Sequence, residues 1–219
     1  MVEGLTLVNE AIAAGWQVLA QFVAPGGEPA QGSDAYIYSL GNDVIERVAS
    51  TESPQPLLAV VKMPTRQTSD LAGKSCVVVC DRIADPGNLG TILRSSEAAG
   101  VAGVVMVSGS VDLYNPKVVR ASAGAMFHVP VIADAPLPDL QHLGMPLIGT
   151  SSHRGTPYFE TDLTQPFALV LGSEAHGVSD DMPIDSWITI PHRGRAESLN
   201  VAMAGSIVVF EALRQLSAR

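Results

Sequence analysis

Basic residues are scarce in this sequence: 13 Lys and Arg stand against 22 Asp and Glu in 219 residues, a formal net charge of −9. Affinity for a phosphate backbone comes mainly from Lys and Arg, so this balance argues against wholesale, sequence-blind nucleic-acid binding. Charge sums hide clustering, and His192, Arg193 and Arg195 fall within one short segment while Arg154 stands in a separate loop. A basic rim on an acidic body is compatible with the total. Long hydrophobic runs are absent as well. Stretches such as VVVCD (77–81) and GVVMV (103–107) are strand-length, far short of the ~18–20 apolar residues of a membrane helix, so no membrane association is expected. The opening MVEGLTLVNE has no basic segment followed by an apolar one, which makes the cytoplasm the expected compartment. Cysteine is nearly missing. Cys76 and Cys80 would face one side of a strand and lack a second ligand pair, so they read as core thiols, with neither a disulfide nor a metal site expected.

What is present is a globular composition, 47% hydrophobic. Residues 1–62 read as a small αβ unit: an amphipathic helix around Val8 to Ala14, a strand VLAQFVA, a Gly/Pro/Ser loop, YIYSL, a short helix and the strand LLAVV. Residues 63–73, MPTRQTSDLAG, are polar and without strong periodicity, which marks a linker. From residue 74 to 219 strands and helices alternate. CVVVCD precedes a helix over 89–99, GVVMV precedes one opening near Asn115-Pro116, and HVPVIA, PLIGTS, FALVLG and WITIP are further strands before a last helix from about Leu199 to Leu216. Such alternation predicts an α/β fold with a mostly parallel sheet. Ligands bind such sheets beyond the carboxyl ends of the strands, which directs attention to the loops after Asp81, Thr150, Leu171 and Ile190.

Three of those loops carry candidate chemistry. In DRIADPGNLGTILRSSEAAG (81–100) a strand ends, Pro86-Gly87 turns, and a helix opens beside Asn88, a candidate N-cap, with Arg94 further along it. In FALVLGSEAHGVSD (167–180) an apolar strand breaks into Gly172 and Gly177 flanking Glu174. Glycine permits close backbone approach, and an acid directly after a buried strand is either a helix-start charge or an active-site carboxylate. In WITIPHRGRAESLNVAMAGSIVVFEALRQ (187–215) a Gly- and Arg-containing loop leads into a long helix with Ser198 and Asn200 at its entrance. Capping alone would account for those two, and close packing for Ala202, Ala204 and Gly205.

Taken together, DPGNLGTILRSSEAAG, LVLGSEAHGVS and IPHRGRAESLNVA closely resemble, in order and spacing, the three motifs of SpoU (TrmH-like) RNA 2′-O-ribose methyltransferases of the SPOUT superfamily. The resemblance covers about Ser75 to Arg219, and VEGLTLVNEAIAAG looks like the start of the small RNA-binding domain that many of these enzymes carry. It implies a catalytic domain whose C-terminal part forms a trefoil knot, S-adenosylmethionine as cofactor, and a homodimer with each site completed at the subunit interface. The implied cofactor-binding residues are Thr150, Gly172, Ile190 and Leu199, with Ser198 and Asn200. The implied catalytic set is Arg94 at the 2′-hydroxyl with Asn88, Glu174, Ser198 and Asn200, and Arg94, Arg154, Arg193 and Arg195 are the implied RNA-binding residues. The family associates this N-terminal domain more often with ribosomal than with transfer RNA. Relatives usually carry a Lys- and Arg-rich stretch before the position of Val2-Glu3-Gly4, so the resemblance also implies a truncated N-terminal domain.

Competing readings differ in specific residues. A base-methylating SPOUT enzyme would keep knot and cofactor, but the NxGxxxR helix start with ESLN speaks for the ribose. A non-catalytic RNA-binding or assembly factor would have no need of the intact set of Asn88, Arg94, Glu174, Ser198 and Asn200. A nicotinamide-binding Rossmann enzyme is disfavoured because no GxGxxG follows any strand.

Overall fold

The computed structural model describes residues 1–49 and 53–218. The chain divides into two compact units, Met1–Thr65 and Arg66–Arg219.

The first unit runs β1 (Val2–Glu3), α1 (Leu5–Ala13), β2 (Val18–Val23), β3 (Tyr36–Ser39), α2 (Val44–Val48) and β4 (Leu57–Val61). Its sheet has the order β1-β4-β2-β3, with β4 antiparallel to both neighbours and β2 parallel to β3. Val8 and Ala11 of α1 are buried, as are Leu57, Leu58 and Ala59 of β4. The one buried polar side chain of β2, Gln21, is satisfied by the backbone of Ala30, donating to its carbonyl at 2.9 Å and accepting from its N–H at 2.8 Å. That pairing removes the cost of an unmet buried amide.

The second unit contains β5 (Cys76–Cys80), α3 (Pro86–Ala98), β6 (Gly103–Val107), α4 (Pro116–Ala121), α5 (Ala125–His128), β7 (Val131–Ala135), β8 (Leu147–Thr150), β9 (Thr156–Pro157), β10 (Phe167–Leu171), β11 (Ser186–Thr189) and α6 (Val201–Ser217). Its seven strands lie in the order β7-β6-β5-β10-β8-β11-β9, every neighbouring pair parallel. Every residue of β5, β6 and β10 is buried. This is why CVVVC, GVVMV and FALVL are continuous apolar runs with no period-two alternation: a parallel strand is covered on both faces. Strand order departs from chain order at β10, which pairs with β5 on one side and β8 on the other. Loops from distant parts of the sequence therefore meet at one edge of the sheet.

Local chemistry moved several boundaries. The stretch 63–73, read as a linker, is structured from Gln67: a capping box between Gln67 and Asp70 starts a 3-10 turn over Thr68–Leu71, and Leu71 is buried in the second unit's core. Polar composition concealed one apolar anchor. Asn88 does not cap α3. Asp85 does, accepting from the Asn88 N–H at 2.8 Å with Pro86 at the first helical position, where its missing N–H costs nothing. HVPVIA splits, because His128 ends α5 and the strand begins at Val131. Gly90 on α3 lies against α4 so closely that a Cβ would stand 2.4 Å from Ala121 Cβ, which sets the spacing of that helix pair.

Candidate active site

The loops after β8, β10 and β11 converge at the carboxyl edge of the second sheet on a cavity of about 820 Å³. Thr150, Gly172, Ile190, Ser198, Leu199 and Asn200 all line it, as does Glu174. Every residue named from the sequence for cofactor binding thus reaches one cavity. A second depression of about 800 Å³, formed around Leu137, Leu140, Met145 and Pro146, contains none of the named residues.

The β10 loop turns back on itself directly after the strand. Ser173 and Gly177 exchange two backbone hydrogen bonds of 2.9 Å, and Gly177 adopts φ +71°, which glycine accepts without strain. Gly172 lies flat against this turn: a Cβ there would stand 2.0 Å from Gly177 backbone carbon and Val178 nitrogen. The tight turn carries Glu174 toward the start of α3. Asn88 Nδ2 donates to Glu174 Oε1 at 2.8 Å, and the N–H groups of Ala84 and Asp85 approach the same carboxylate at 3.4 Å. Desolvation alone would raise the Glu174 pKa, but these donors together outweigh it and hold the carboxyl below its ordinary value. Those donors favour the anionic form of Glu174.

The third loop joins the same group. Asn200 Oδ1 caps α6 by accepting from the N–H of Ala202 at 2.9 Å and of Met203 at 3.2 Å, while its Nδ2 donates to Asn88 Oδ1 at 2.8 Å. Capping and site formation, alternatives in the sequence, are both done by this one side chain. Further along the helices Ser95 and Ser206 are joined at 2.6 Å, so α3 and α6 also touch about two turns past the asparagine pair.

Two residues not singled out from the sequence hold the far end of the β10 loop. Asp81, 1% exposed at the end of β5, accepts from both N–H and hydroxyl of Ser179, at 2.7 and 2.5 Å. Arg82, at φ +55°, donates to both carboxylate oxygens of Asp181 at 3.0 and 3.2 Å. Among the described residues the other Asp81 oxygen is buried without a hydrogen bond, with Arg82 Nε at 3.8 Å. An aspartate at the carboxyl end of a fully apolar strand was the available signal.

The arginines are distributed differently from the neutral groups. Arg154 lines the cavity with its guanidinium carbon 3.7 Å from the centre of the Trp187 ring. Arg94, Arg193 and Arg195 are exposed and lie outside the cavity lining. Arg94 makes no hydrogen bond or ion pair among the described residues.

The model of the SpoU rRNA Methylase family matches residues 75–210, more than half of the chain. The chain belongs to the SpoU rRNA methylase family. It is a methyltransferase, and S-adenosylmethionine is its methyl donor. It is 38% identical over 178 residues to the 23S rRNA (guanosine(2553)-2′-O)-methyltransferase RlmP of Bacillus subtilis, covering 79% of this chain and 71% of that one. It is 34% identical over 186 residues to a 23S rRNA (uridine(2479)-2′-O)-methyltransferase of Streptomyces viridochromogenes, covering 78% and 64%. The crystal structure of the SpoU methyltransferase AviRb from Streptomyces viridochromogenes in complex with AdoMet superposes with a TM-score of 0.86 at 29% identity, over 98% of this chain and 89% of that one.

The cavity's donor set fits this cofactor. Ile190, Leu199, Val201, Ala204 and Val178 offer apolar surface for an adenine ring, and Glu174, Asp180 and Glu197 offer negative charge for a sulfonium.

Proposed function

We propose that this chain methylates a ribose 2′-hydroxyl of large-subunit, 23S-type ribosomal RNA, working in the cytoplasm as a homodimer. The observation that carries the reading is the unbroken chain Glu174–Asn88–Asn200, which ties one residue from each of the three motif loops together at the cavity. The relatives named above support the acceptor, since both act on 23S rRNA by name. A transfer-RNA acceptor is the second reading: a 31% identical Synechocystis relative over 98% of this chain is named an uncharacterized tRNA/rRNA methyltransferase, a name that covers both acceptors.

When bound, S-adenosylmethionine supplies a methyl on a sulfonium sulfur, activated for in-line attack. The protein's own part is placement and charge. Backbone around Thr150, Gly172, Ile190 and Leu199 would hold the cofactor, with Ser198 and Asn200 at the entrance of α6. Asn88, Glu174 and Asn200 fix the three loops relative to each other, so that acceptor and donor meet in one geometry. The guanidinium of Arg94 offers hydrogen-bond donors only, so it does not take the ribose proton. It holds an adjacent phosphate or the developing alkoxide, and the proton leaves through another acceptor or water. Because Arg94 stands outside its own chain's cavity, it serves the cavity of the partner subunit. The exposed apolar side chains of Met203, Phe210, Leu213 and Leu216 support α6 as the contact surface. Arg193 and Arg195 supply phosphate contacts on an otherwise acidic chain.

The finer topology is a trefoil knot in the C-terminal part. It is supported by the insertion of β10 between β5 and β8 and by the meeting of the β8, β10 and β11 loops at one cavity from which α6 departs. Residues 1–62 would serve as the RNA-binding domain, the linker following.

The test is transfer of labelled methyl from S-adenosylmethionine to unmodified ribosomal and transfer RNA, followed by nucleoside analysis. A 2′-O-methylated nucleoside in 23S rRNA, lost in Arg94→Ala, is expected. Product in transfer RNA alone would replace the acceptor, and cofactor binding without any product would replace the enzymatic reading by an RNA-binding factor.

A further inference from the structure

Among the described residues that line the cavity Arg154 is the sole Lys or Arg, and its surroundings fix it there. Its guanidinium lies on the Trp187 ring. That ring in turn lies over Gly149, the paired residue on β8, where a Cβ would stand 2.7 Å from Trp187 Cζ3. On the amino side of Arg154 the Ser151 N–H donates to the Ile188 carbonyl at 3.0 Å. On the carboxyl side Gly155, at φ +118°, crosses β11 so closely that a Cβ would meet the Trp187 carbonyl carbon at 2.6 Å. The loop is thus pinned to β11 on both sides of the arginine. Stacking uses the faces of a guanidinium and leaves its N–H edge free. Among the described residues Arg154 has no hydrogen bond or ion pair, so those donors are uncommitted on a residue that lines the cavity.

We propose that Arg154, held on Trp187, binds the carboxylate of the cofactor's methionine end and gives this enzyme its preference for donors that carry one. The inference rests on the reading of the cavity as the cofactor site. S-adenosylmethionine bears two cationic groups, the sulfonium and the ammonium, and a single anionic one. The lining carries the opposite signs, the carboxylates of Glu174, Asp180 and Glu197 for the cations and one arginine for the anion. The sequence grouped Arg154 with Arg193 and Arg195 as contacts for RNA. Those two lie outside the cavity lining, whereas Arg154, exposed as they are, is stacked on a wall of the cavity.

The proposal is tested by calorimetric titration of the full chain, without RNA, with S-adenosylmethionine and with its decarboxylated analogue, for the unmodified protein, Arg154→Ala and Arg154→Lys. The analogue has no carboxylate to accept charge-assisted hydrogen bonds from the guanidinium. The unmodified protein should therefore favour S-adenosylmethionine, and the affinity ratio between the two ligands should fall by about tenfold or more in Arg154→Ala. Arg154→Lys should keep part of it, because charge survives while the planar fork is lost. A ratio unchanged in Arg154→Ala overturns the proposal, and weakened RNA binding in the same variant would then assign the arginine to phosphate. Fluorescence separates this failure from failure of the cavity reading: the chain has two tryptophans, and the signal absent in Trp187→Phe reports on Trp187. Binding heat without a Trp187 response places the cofactor elsewhere and overturns both readings. A Trp187 response with an unchanged ratio overturns the carboxylate anchor alone.

Discussion

Asn88 and Asn200 stand 112 positions apart in the chain and share a 2.8 Å hydrogen bond, the Asn200 amide donating to the Asn88 side-chain oxygen. The same Asn88 donates to Glu174, so one amide gives its acceptor to the third motif loop and a donor to the second. Among the described residues, no other run of consecutive side-chain hydrogen bonds joins these three loops. A carboxylate at either asparagine position would lose the donor and add repulsion to Glu174.

Asn88→Ala and Asn200→Ala are expected to lower kcat/KM together. Each breaks the same chain, so the double variant should lose little more than the worse single one. Asn200→Ala should in addition cost about 1–2 kcal/mol of stability, because the first turn of α6 loses its cap, whereas Asn88→Ala leaves the Asp85 cap of α3 in place. Denaturant unfolding and steady-state kinetics on the four proteins measure both effects. Additive kinetic losses would show that the two asparagines act separately.

Glu174 sets a condition on pH dependence. Its folded pKa lies below the ordinary carboxylate value, so the stability contributed by its hydrogen bonds is complete above that ordinary value and is lost as pH falls below it through the folded pKa. No ionisation of Glu174 therefore occurs near neutrality. Glu174→Gln should reduce turnover without changing the shape of the pH–rate curve there. Disappearance of a step near neutrality in the variant would sink this assignment.

Much of this arrangement was legible in the sequence, and the part that was not has a definite physical origin. Uninterrupted apolar runs at β5, β6 and β10 announced buried parallel strands, and each motif loop fell where a strand ended. The strand order was hidden, because β10 between β5 and β8 is a long-range pairing to which no local pattern responds. β1 and β9, two residues each, are too short for any periodicity. Asn88, Glu174 and Asn200 were each visible as a cap or a loop charge, but their mutual bonds span 86 and 112 positions. Trp187 looked like one more strand residue in WITIP; only Gly149 beneath it and Arg154 above it distinguish it.

Gly172→Ala is expected to disable the cavity. The added methyl would be directed at the Gly177 and Val178 backbone at 2.0 Å, and backbone cannot yield as a flexible side chain can. The turn must open, taking Glu174 away from Asn88. Gly205→Ala is the control on α6, since its added methyl would meet the terminal carbon of Leu171 at 2.7 Å, which a rotamer change can relieve. Cofactor titration should show binding lost in the first variant and largely kept in the second. Equal affinities in the two would contradict the role given to the Gly172 turn.

Acid stability has a separate centre near the end of α6. Glu211 accepts from Arg214 Nε and Nη2 at 2.8 and 2.7 Å and from Gln215 Nε2 at 2.9 Å. Those hydrogen bonds, the arginine's first, take its pKa from 4.5 down to about 2. Gln215 carries the effect onward by donating to the Thr161 carbonyl and accepting from the Leu163 N–H. A lowered pKa stabilises the fold fully above pH 4.5, and that stabilisation drains away as pH falls toward 2. Arg214 is largely exposed, so screening keeps the pair's worth small. Glu211→Gln should therefore lower Tm at neutral pH by about 2–4 °C. The two melting curves should then converge between pH 4.5 and 2 in calorimetric scans. A gap that persists at the acid end would trace the effect to packing around Gln215 and not to the charge.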